Sequence, residues 1–326
     1  MKVIFKYVTG SRLYGTNTPE SDTDYIGVFI PEVEEFLGLS NPPDQKTENK
    51  KISSGPRNGK DDIDCTYKSV REFLKLAAQG QSAQVEMLFA PPEMVLATSP
   101  IWEKIQKNRH LLLSQKSLGA VVGFAIGQAH KAMIKGDNLR LISKLLQVSK
   151  NKDPNFRIED FLLVDEENKV AKFIDVEVHY GNYRSGRFIE VAGRRFPIGL
   201  KIKTFRETLL ELHEKYGTRS QEAALDTYDF KSVLHAVRTL QQAEEFLLTG
   251  NLTLPRPEKD LEELMKIRRK EWPAPDFDFI DYVNKRADEL RKKVEESSPL
   301  PKEPDWSKIE ALCVEIMTEH FKGGLR

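Results

Sequence analysis

The pattern of apolar and polar positions changes about one third of the way along the chain. Short apolar runs bounded by glycine, proline and polar residues predict strands at 3–9, 24–30 and 63–67. Apolar residues at helical spacing follow over 68–76. This mixture of strands and helices predicts a first domain of α and β structure that spans residues 1–98.

From about residue 100 the apolar positions recur at helical spacing, so residues 99–326 are expected to form a mostly helical second domain. Alternating polar and apolar residues around 156–200 interrupt the helical pattern and predict a β-rich insertion with a turn at Ala192-Gly193. The expected fold class is therefore α+β. The predicted helices are 100–113, 117–135, 137–149, 202–216, 226–249, 258–271, 278–296 and 306–321.

Composition narrows the function classes. The 50 basic and 50 acidic residues cancel, which argues against a uniformly basic nucleic-acid binder but leaves local patches open. No segment approaches the run of about 20 apolar residues that a membrane helix needs. Cys65 and Cys313 are far apart and have no neighbours at metal-ligand spacing, so we expect neither a zinc site nor a disulfide framework. A reducing cytoplasm is the expected compartment.

Two short motifs near the start carry candidate chemistry. Gly10-Ser11 follows the first predicted strand, and backbone N–H groups and a hydroxyl at such a turn can bind phosphate oxygens. Asp22 and Asp24 would lie on one face if both belonged to a strand. Their mutual repulsion would be relieved by a divalent cation, and oxygen ligands suit Mg²⁺ or Mn²⁺. The combination predicts phosphoryl or nucleotidyl transfer.

Each motif alone also has an ordinary structural interpretation. Gly-Ser occurs often by chance, and Asp-x-Asp is usually a solvated turn or a helix cap. The two motifs occur here in order and between two apolar strands, which favours the functional interpretation.

Gly10-Ser11, ten residues and then Asp22-Thr23-Asp24 resemble the signature of the DNA polymerase β-like nucleotidyltransferase superfamily. The longer string GSRLYGTNTPESDTDYIGVF is similar to one branch, the predicted nucleotidyltransferases called RNA-ligase-associated proteins. Further similar stretches lie at 62–91, 121–136 and 229–255, whereas 256–326 matches only loosely.

The resemblance implies a palm domain with a mixed sheet and three acidic metal ligands. Asp22 and Asp24 would be two of them, and the third is expected on the next palm strand. We assign it to Asp64, with Asp62 as the alternative, although Asp62 also fits a charge at the end of a loop. An NTP would bind Gly10-Ser11, an acceptor hydroxyl would attack its α-phosphate, and pyrophosphate would leave. Asp64 would then lie nearest the attacking hydroxyl.

A predicted helix over 227–249 carries a polar stripe. Lys231, His235 and Arg238 fall at about 0°, 40° and −20° around its axis. We expect this stripe to bind the triphosphate, with Lys231 as a point charge and Arg238 through its planar fork. The alternative is the solvated face of an amphipathic helix.

The stretch 181–206 is strongly basic. Seven arginines and lysines oppose Glu190, for a local net charge of 7 − 1 = +6. Cations and interleaved rings suit single-stranded RNA or a nucleic-acid end, and the alternative is a sheet with one solvated basic face. The residues are Arg184, Arg187, Arg194, Arg195, Lys201, Lys203 and Arg206, with the rings of Tyr183, Phe188, Phe196 and Phe205.

These observations predict a metal-dependent nucleotidyltransferase whose first candidate acceptor is an RNA 3′ end. A protein or small-molecule hydroxyl is the alternative acceptor. A nucleotide-binding regulator with a degenerate palm and a scaffold protein are the non-enzymatic alternatives. Carboxylates at all three expected positions, Asp22, Asp24 and Asp64, favour the enzyme.

Overall fold

The fold comes from a computed structural model, which divides the chain into two compact units. The first unit combines residues 1–127 with 234–326, and the second comprises residues 128–233. This division differs from the predicted domains 1–98 and 99–326. The structure describes residues 1–19, 21–39, 42–50, 63–162, 172–176, 186–215 and 228–324.

The first unit contains a five-stranded sheet in the order β3-β4-β2-β1-β5. Strands β2 and β4 run parallel, and the other neighbours run antiparallel. The expectation of a mixed palm sheet with helices is thereby confirmed. The strands are β1 (Lys2–Thr9), β2 (Asp24–Ile30), β3 (Gln45–Lys50), β4 (Ile63–Ser69) and β5 (Val95–Ala97).

Short helices connect these strands and cover the sheet. The Ser69 hydroxyl caps the helix over 70–78 by accepting a hydrogen bond from the backbone N–H of Glu72. The same helix buries Phe73, Leu74 and Ala77 in the core of the unit. The helices up to residue 107 are α1 (Ser11–Tyr14), α2 (Val33–Leu37), α3 (Val70–Ala78), α4 (Ser82–Met87) and α5 (Pro100–Lys107).

The palm core extends past residue 98, which is why no boundary falls there. Trp102 of α5 stacks on Phe5 of β1 with ring centroids 3.9 Å apart. Ile309, Leu312 and Ile316, near the C-terminus, join the same buried cluster. Because these side chains complete one apolar core, the sheet and the last helices form a single unit.

The remaining helices supply most of the rest of the chain, as the α+β prediction expects. The interruption predicted between 135 and 137 is wrong, because one helix runs through it. A single glycine costs a helix only about 1 kcal/mol relative to alanine, so Gly136 does not end it. These helices are α6 (Ser117–Val148), α7 (Ile158–Leu162), α8 (Ile202–Lys215), α9 (Phe230–Thr249), α10 (Glu258–Arg268), α11 (Phe279–Ser297) and α12 (Trp306–Gly324).

The second unit contains the predicted β-rich insertion as a three-stranded antiparallel sheet. Its strands are β6 (Lys172–Val176), β7 (Gly186–Val191) and β8 (Arg194–Pro197). Ala192 and Gly193 form the predicted turn, with positive φ values of 53° and 76°. Among the described residues, none of the helices combines the length and the apolar character that crossing a bilayer requires.

Candidate active site

The Gly-Ser turn and one acidic residue are brought together where β1 ends and β2 begins. Thr9 pairs with Asp24 in the antiparallel register, which places the Asp24 carboxylate beside Gly10. Gly10 has φ 70° and ψ −150°, a conformation that is essentially restricted to glycine. A Cβ atom at this position would also collide with Asp24 Oδ2. The backbone conformation therefore favours glycine, and any larger residue would also displace the Asp24 carboxylate.

Asp22 reaches this region by a different route from the predicted one. Strand β2 begins only at Asp24, so the argument from strand alternation does not apply to Asp22 and is wrong for it. The residues before β2 form a turn instead, in which the Ser21 backbone N–H donates to the Thr18 carbonyl at 3.0 Å. The Ser21 hydroxyl accepts from the Thr18 N–H at 2.9 Å. Both carboxylates are exposed, so solvent and ions can reach them.

Arg12 of α1 holds this loop. The sequence patterns do not predict this role. Its Nε donates to the Thr23 hydroxyl at 3.0 Å, and its Nη2 donates to the Ser21 carbonyl at 3.1 Å. The two bonds grip the residues on either side of Asp22. The only signal in the sequence is an arginine directly after Gly-Ser, and no spacing rule connects that position to a loop carbonyl.

The backbone places Asp64 near the same end of the sheet. Strands β2 and β4 run parallel with Tyr25 opposite Cys65, so Asp24 and Asp64 directly precede a paired position on adjacent strands. Among the described side chains, no three His, Cys, Asp or Glu residues converge on one metal position. The Asp64 side chain and all of Asp62 lie outside the described set. The three-carboxylate metal site therefore stays a prediction.

Arg238 occupies a buried cluster rather than an open stripe. Its Nη1 donates to Glu86 Oε1 at 2.8 Å, and both side chains are at most 6% exposed. The guanidinium lies 3.7 Å from the centroid of the Tyr14 ring. The Tyr14 hydroxyl donates to Glu86 Oε2 at 2.7 Å. The expectation of an accessible stripe is thus corrected, because Arg238 would have to leave Glu86 to reach a phosphate.

Burial fixes the protonation of Tyr14. It raises the pKa of Tyr14 well above the ordinary value, although the Arg238 charge opposes the shift. Tyr14 is therefore a neutral hydrogen-bond donor at any physiological pH. Because Tyr14 ends α1, the cluster fixes the short helix that begins at Ser11.

The other two members of the stripe differ in environment. Lys231 is exposed and belongs to the second unit, whereas His235 is half-buried in the first. Their phosphate contacts stay predictions. Their helix begins at Phe230, later than predicted, and ends before Gly250, whose φ is 71° as a helix-terminating glycine requires.

Four charges in the described part of the basic stretch are exposed, whereas Arg206 and the Phe188 ring are half-buried. Phe196 and Phe205 are buried and pack edge-to-face with centroids 5.0 Å apart, so they are unavailable for base stacking. Arg194 and Arg195 are exposed, and Arg195 donates to Glu190 at 3.3 Å. Lys201 and Lys203 are exposed, whereas Tyr183, Arg184 and the Arg187 side chain lie outside the described set. The described part is a basic surface over an apolar core.

Comparison with known proteins decides the family. Residues 1–148 match the model of the RNA repair pathway DNA polymerase beta family, RlaP. An Enterobacteria phage T4 protein, named as an uncharacterized 38.9 kDa protein of the nrdC-mobD intergenic region, is 30% identical over 274 residues. That similarity covers 78% of this chain and 80% of the phage protein. The chain belongs to the RNA repair pathway DNA polymerase beta family.

The RlaP match ends where α6 ends, at Val148. It therefore includes the palm sheet, the Gly10-Ser11 turn and the three predicted carboxylates. The resemblance to polymerase β-like nucleotidyltransferases seen in the sequence is confirmed at the level of the family. No solved structure matches the chain.

The variant Gly10→Ala tests the importance of this turn. Alanine at position 10 must strain φ and displace the Asp24 carboxylate, so we expect about 1–3 kcal/mol of lost stability. We also expect loss of nucleotide transfer. Gly193→Ala is the matched control, because Gly193 also has positive φ but an added Cβ would meet nothing within 4 Å. Urea unfolding and activity assays of both variants check this, and equal activity in the two would contradict a role for Gly10 in the site.

Proposed function

We propose that this RlaP family protein is a metal-dependent nucleotidyltransferase that moves an NMP from an NTP to a hydroxyl at an RNA end and releases pyrophosphate. The observation that carries the proposal is the Gly10 turn with the Asp24 carboxylate against it at the paired ends of β1 and β2. A glycine turn that could bind phosphate, beside an exposed carboxylate, suits nucleotidyl transfer, and the family supports the same class of chemistry.

The donor set suits Mg²⁺ or Mn²⁺. Asp22 and Asp24 offer exposed carboxylate oxygens, and Asp64 would add a third from the neighbouring strand. Hard oxygen ligands without His or Cys are typical of these ions. When bound, the metal would neutralise phosphate charge and make the α-phosphate a better electrophile.

The protein's own groups would orient the reactants. The positive φ of Gly10 lets the chain turn directly after β1, and the triphosphate would bind against this turn. The Ser11 hydroxyl has no hydrogen-bond partner among the described residues, so it can donate to a phosphate oxygen. Asp64 would accept the proton of the acceptor hydroxyl, and His235 would contact the triphosphate. In this proposal Arg238 acts indirectly, by holding α1 through Glu86 and Tyr14.

An RNA end is the favoured acceptor because the family is one of an RNA repair pathway and the second unit presents exposed basic side chains. A protein or small-molecule hydroxyl and a weakly catalytic nucleotide-binding regulator are the alternatives, and the test must separate all three.

The test uses each α-labelled NTP with Mg²⁺ or Mn²⁺ and a short RNA. We expect label on an RNA with a free 3′ hydroxyl and none on the same RNA with a 3′ deoxy end. Label on protein would favour protein nucleotidylation. Tight NTP binding with no pyrophosphate release would favour the regulator and overturn the proposed reaction.

The basic surface makes a separate prediction about the acceptor. Arg194→Ala combined with Arg195→Ala should weaken RNA binding and flatten its dependence on log salt by about one to two units. The lower figure allows for the contact between Arg195 and Glu190. NTP binding should not change. Lys107→Ala combined with Lys302→Ala removes the same charge from exposed positions of the first unit and is the control. Equal effects in both double variants would show that the basic surface has no specific part in RNA binding.

A further inference from the structure

The C-terminal part of the first unit lies outside the RlaP match, but it contacts α1 and the residues directly before Asp22. The backbone N–H of Arg256 donates to the Tyr14 carbonyl at 3.3 Å, at the end of α1. Pro255 and Leu261 pack beside Gly15, where an added Cβ would lie 3.3 Å from Pro255 Cβ and 3.7 Å from Leu261 Cδ2. The α1 turn is therefore supported by the segment that enters α10.

Arg256 fixes this segment in place. Its side chain is 1% exposed and forms ion pairs with Glu245 of α9 and Asp260 of α10. An arginine buried this deeply with two carboxylates has little freedom to move, so the first turn of α10 is firmly attached to α9.

Arg268, at the end of α10, contacts the residues directly before Asp22. Arg268 Nη2 donates to the Ser21 hydroxyl at 3.1 Å and lies 3.4 Å from the Thr18 hydroxyl. Ser21 directly precedes Asp22, and Arg12 holds the same residue by its carbonyl. Arg12 and Arg268, which are far apart from each other in the sequence, therefore both contact Ser21.

We propose that Arg268 is a positioning residue that keeps Asp22 in its metal-binding conformation. The inference rests on the proposed function. Among the described residues 16–19 and 21–23, the backbone hydrogen bonds join the Thr16 N–H to the Ser11 carbonyl and the Ser21 N–H to the Thr18 carbonyl, so this segment would still lose conformational entropy when a metal binds. Contacts from Arg268 order the loop beforehand, and that lowers the cost of binding.

The test compares Arg268→Ala with Arg269→Ala, because Arg269 is an exposed neighbour paired with Glu271. Without any nucleotide, Arg268→Ala should speed hydrogen exchange at residues 18–24 and weaken Mn²⁺ binding, measured by electron paramagnetic resonance, about tenfold. In the transfer assay it should raise the apparent KM for the metal while kcat recovers at saturating Mn²⁺. Arg268→Lys should restore part of the affinity, because an ammonium can still donate to Ser21. Ser21→Ala should reproduce the effect if Arg268→Ala proves unstable.

The outcomes separate this inference from the proposed function. Exchange rates and Mn²⁺ affinity that match those of Arg269→Ala would overturn the role of Arg268, whatever the activity. Faster exchange and weaker Mn²⁺ binding in Arg268→Ala would support that role. A wild-type protein that binds Mn²⁺ but transfers no nucleotide would overturn the proposed reaction and leave the positioning of the loop intact.

Discussion

Replacing Asp24 by asparagine will abolish nucleotide transfer. We expect the rate to fall on the order of a thousandfold or more, as it does when a main electrostatic group of an active site is removed. The substitution keeps the shape of the side chain beside Gly10 but removes its charge. Without metal, the melting temperature should hold or rise, because an exposed carboxylate near Asp22 is removed. Asp22→Asn should behave in the same way. Pyrophosphate release and thermal unfolding measure the two effects.

Asp276→Asn is the control for these variants, since Asp276 is an exposed aspartate remote in sequence from the predicted ligands. It should retain wild-type activity and stability. Near-normal turnover in Asp24→Asn would remove the carboxylates from the mechanism.

Replacing Arg238 by methionine will cost about 3–5 kcal/mol of unfolding free energy, the usual cost of leaving one partner of a buried ion pair uncompensated. Glu86 would lose its guanidinium and keep only hydrogen bonds from hydroxyl groups such as that of Tyr14. Glu86→Gln should also destabilise, and the double variant should recover much of the loss, because it leaves no buried charge unpaired. Urea unfolding of the three variants completes a double-mutant cycle.

The surface pair Lys266 and Glu262 is the control for this cycle. Both side chains are about half exposed or more, and breaking such a pair should change stability by less than about 1 kcal/mol. If Arg238→Met leaves stability unchanged but raises the KM for NTP, then Arg238 binds phosphate as the sequence predicts and the buried pair is not its main role.

The sequence predicts elements well where one face is apolar. The strand predicted at 24–30 coincides with β2, whose last four residues are buried. Strand β3, QKTENK, is not among the strands that the sequence predicts, and it has no apolar alternation. Among the strands that the structure describes, β3 lies at the edge of the sheet and pairs with β4, and polar contacts such as that of the Tyr67 hydroxyl with Glu48 at 2.9 Å support it. Patterns of burial cannot reveal a strand that buries so little.

The contacts of the candidate site can likewise be predicted only where the residues belong to elements that are neighbours in the sequence. Gly10 and Asp24 could be predicted to meet, because the strands that carry them are neighbours in sequence and pair directly. The contacts of Arg238 with Glu86 and of Arg268 with Ser21 join residues 152 and 247 positions apart. A single sequence contains no local signal for such pairs. The helix face therefore predicts that Arg238 is accessible, whereas in the folded protein Arg238 is buried and paired with Glu86.

A crystal structure with Mn²⁺ and a non-hydrolysable NTP analogue tests the central claim most directly. We expect an anomalous manganese peak about 2.1 Å from carboxylate oxygens of Asp22 and Asp24, and triphosphate oxygens against Gly10 and Ser11. Nucleotide and metal bound elsewhere in the first unit, with the Gly10 turn empty, would contradict it.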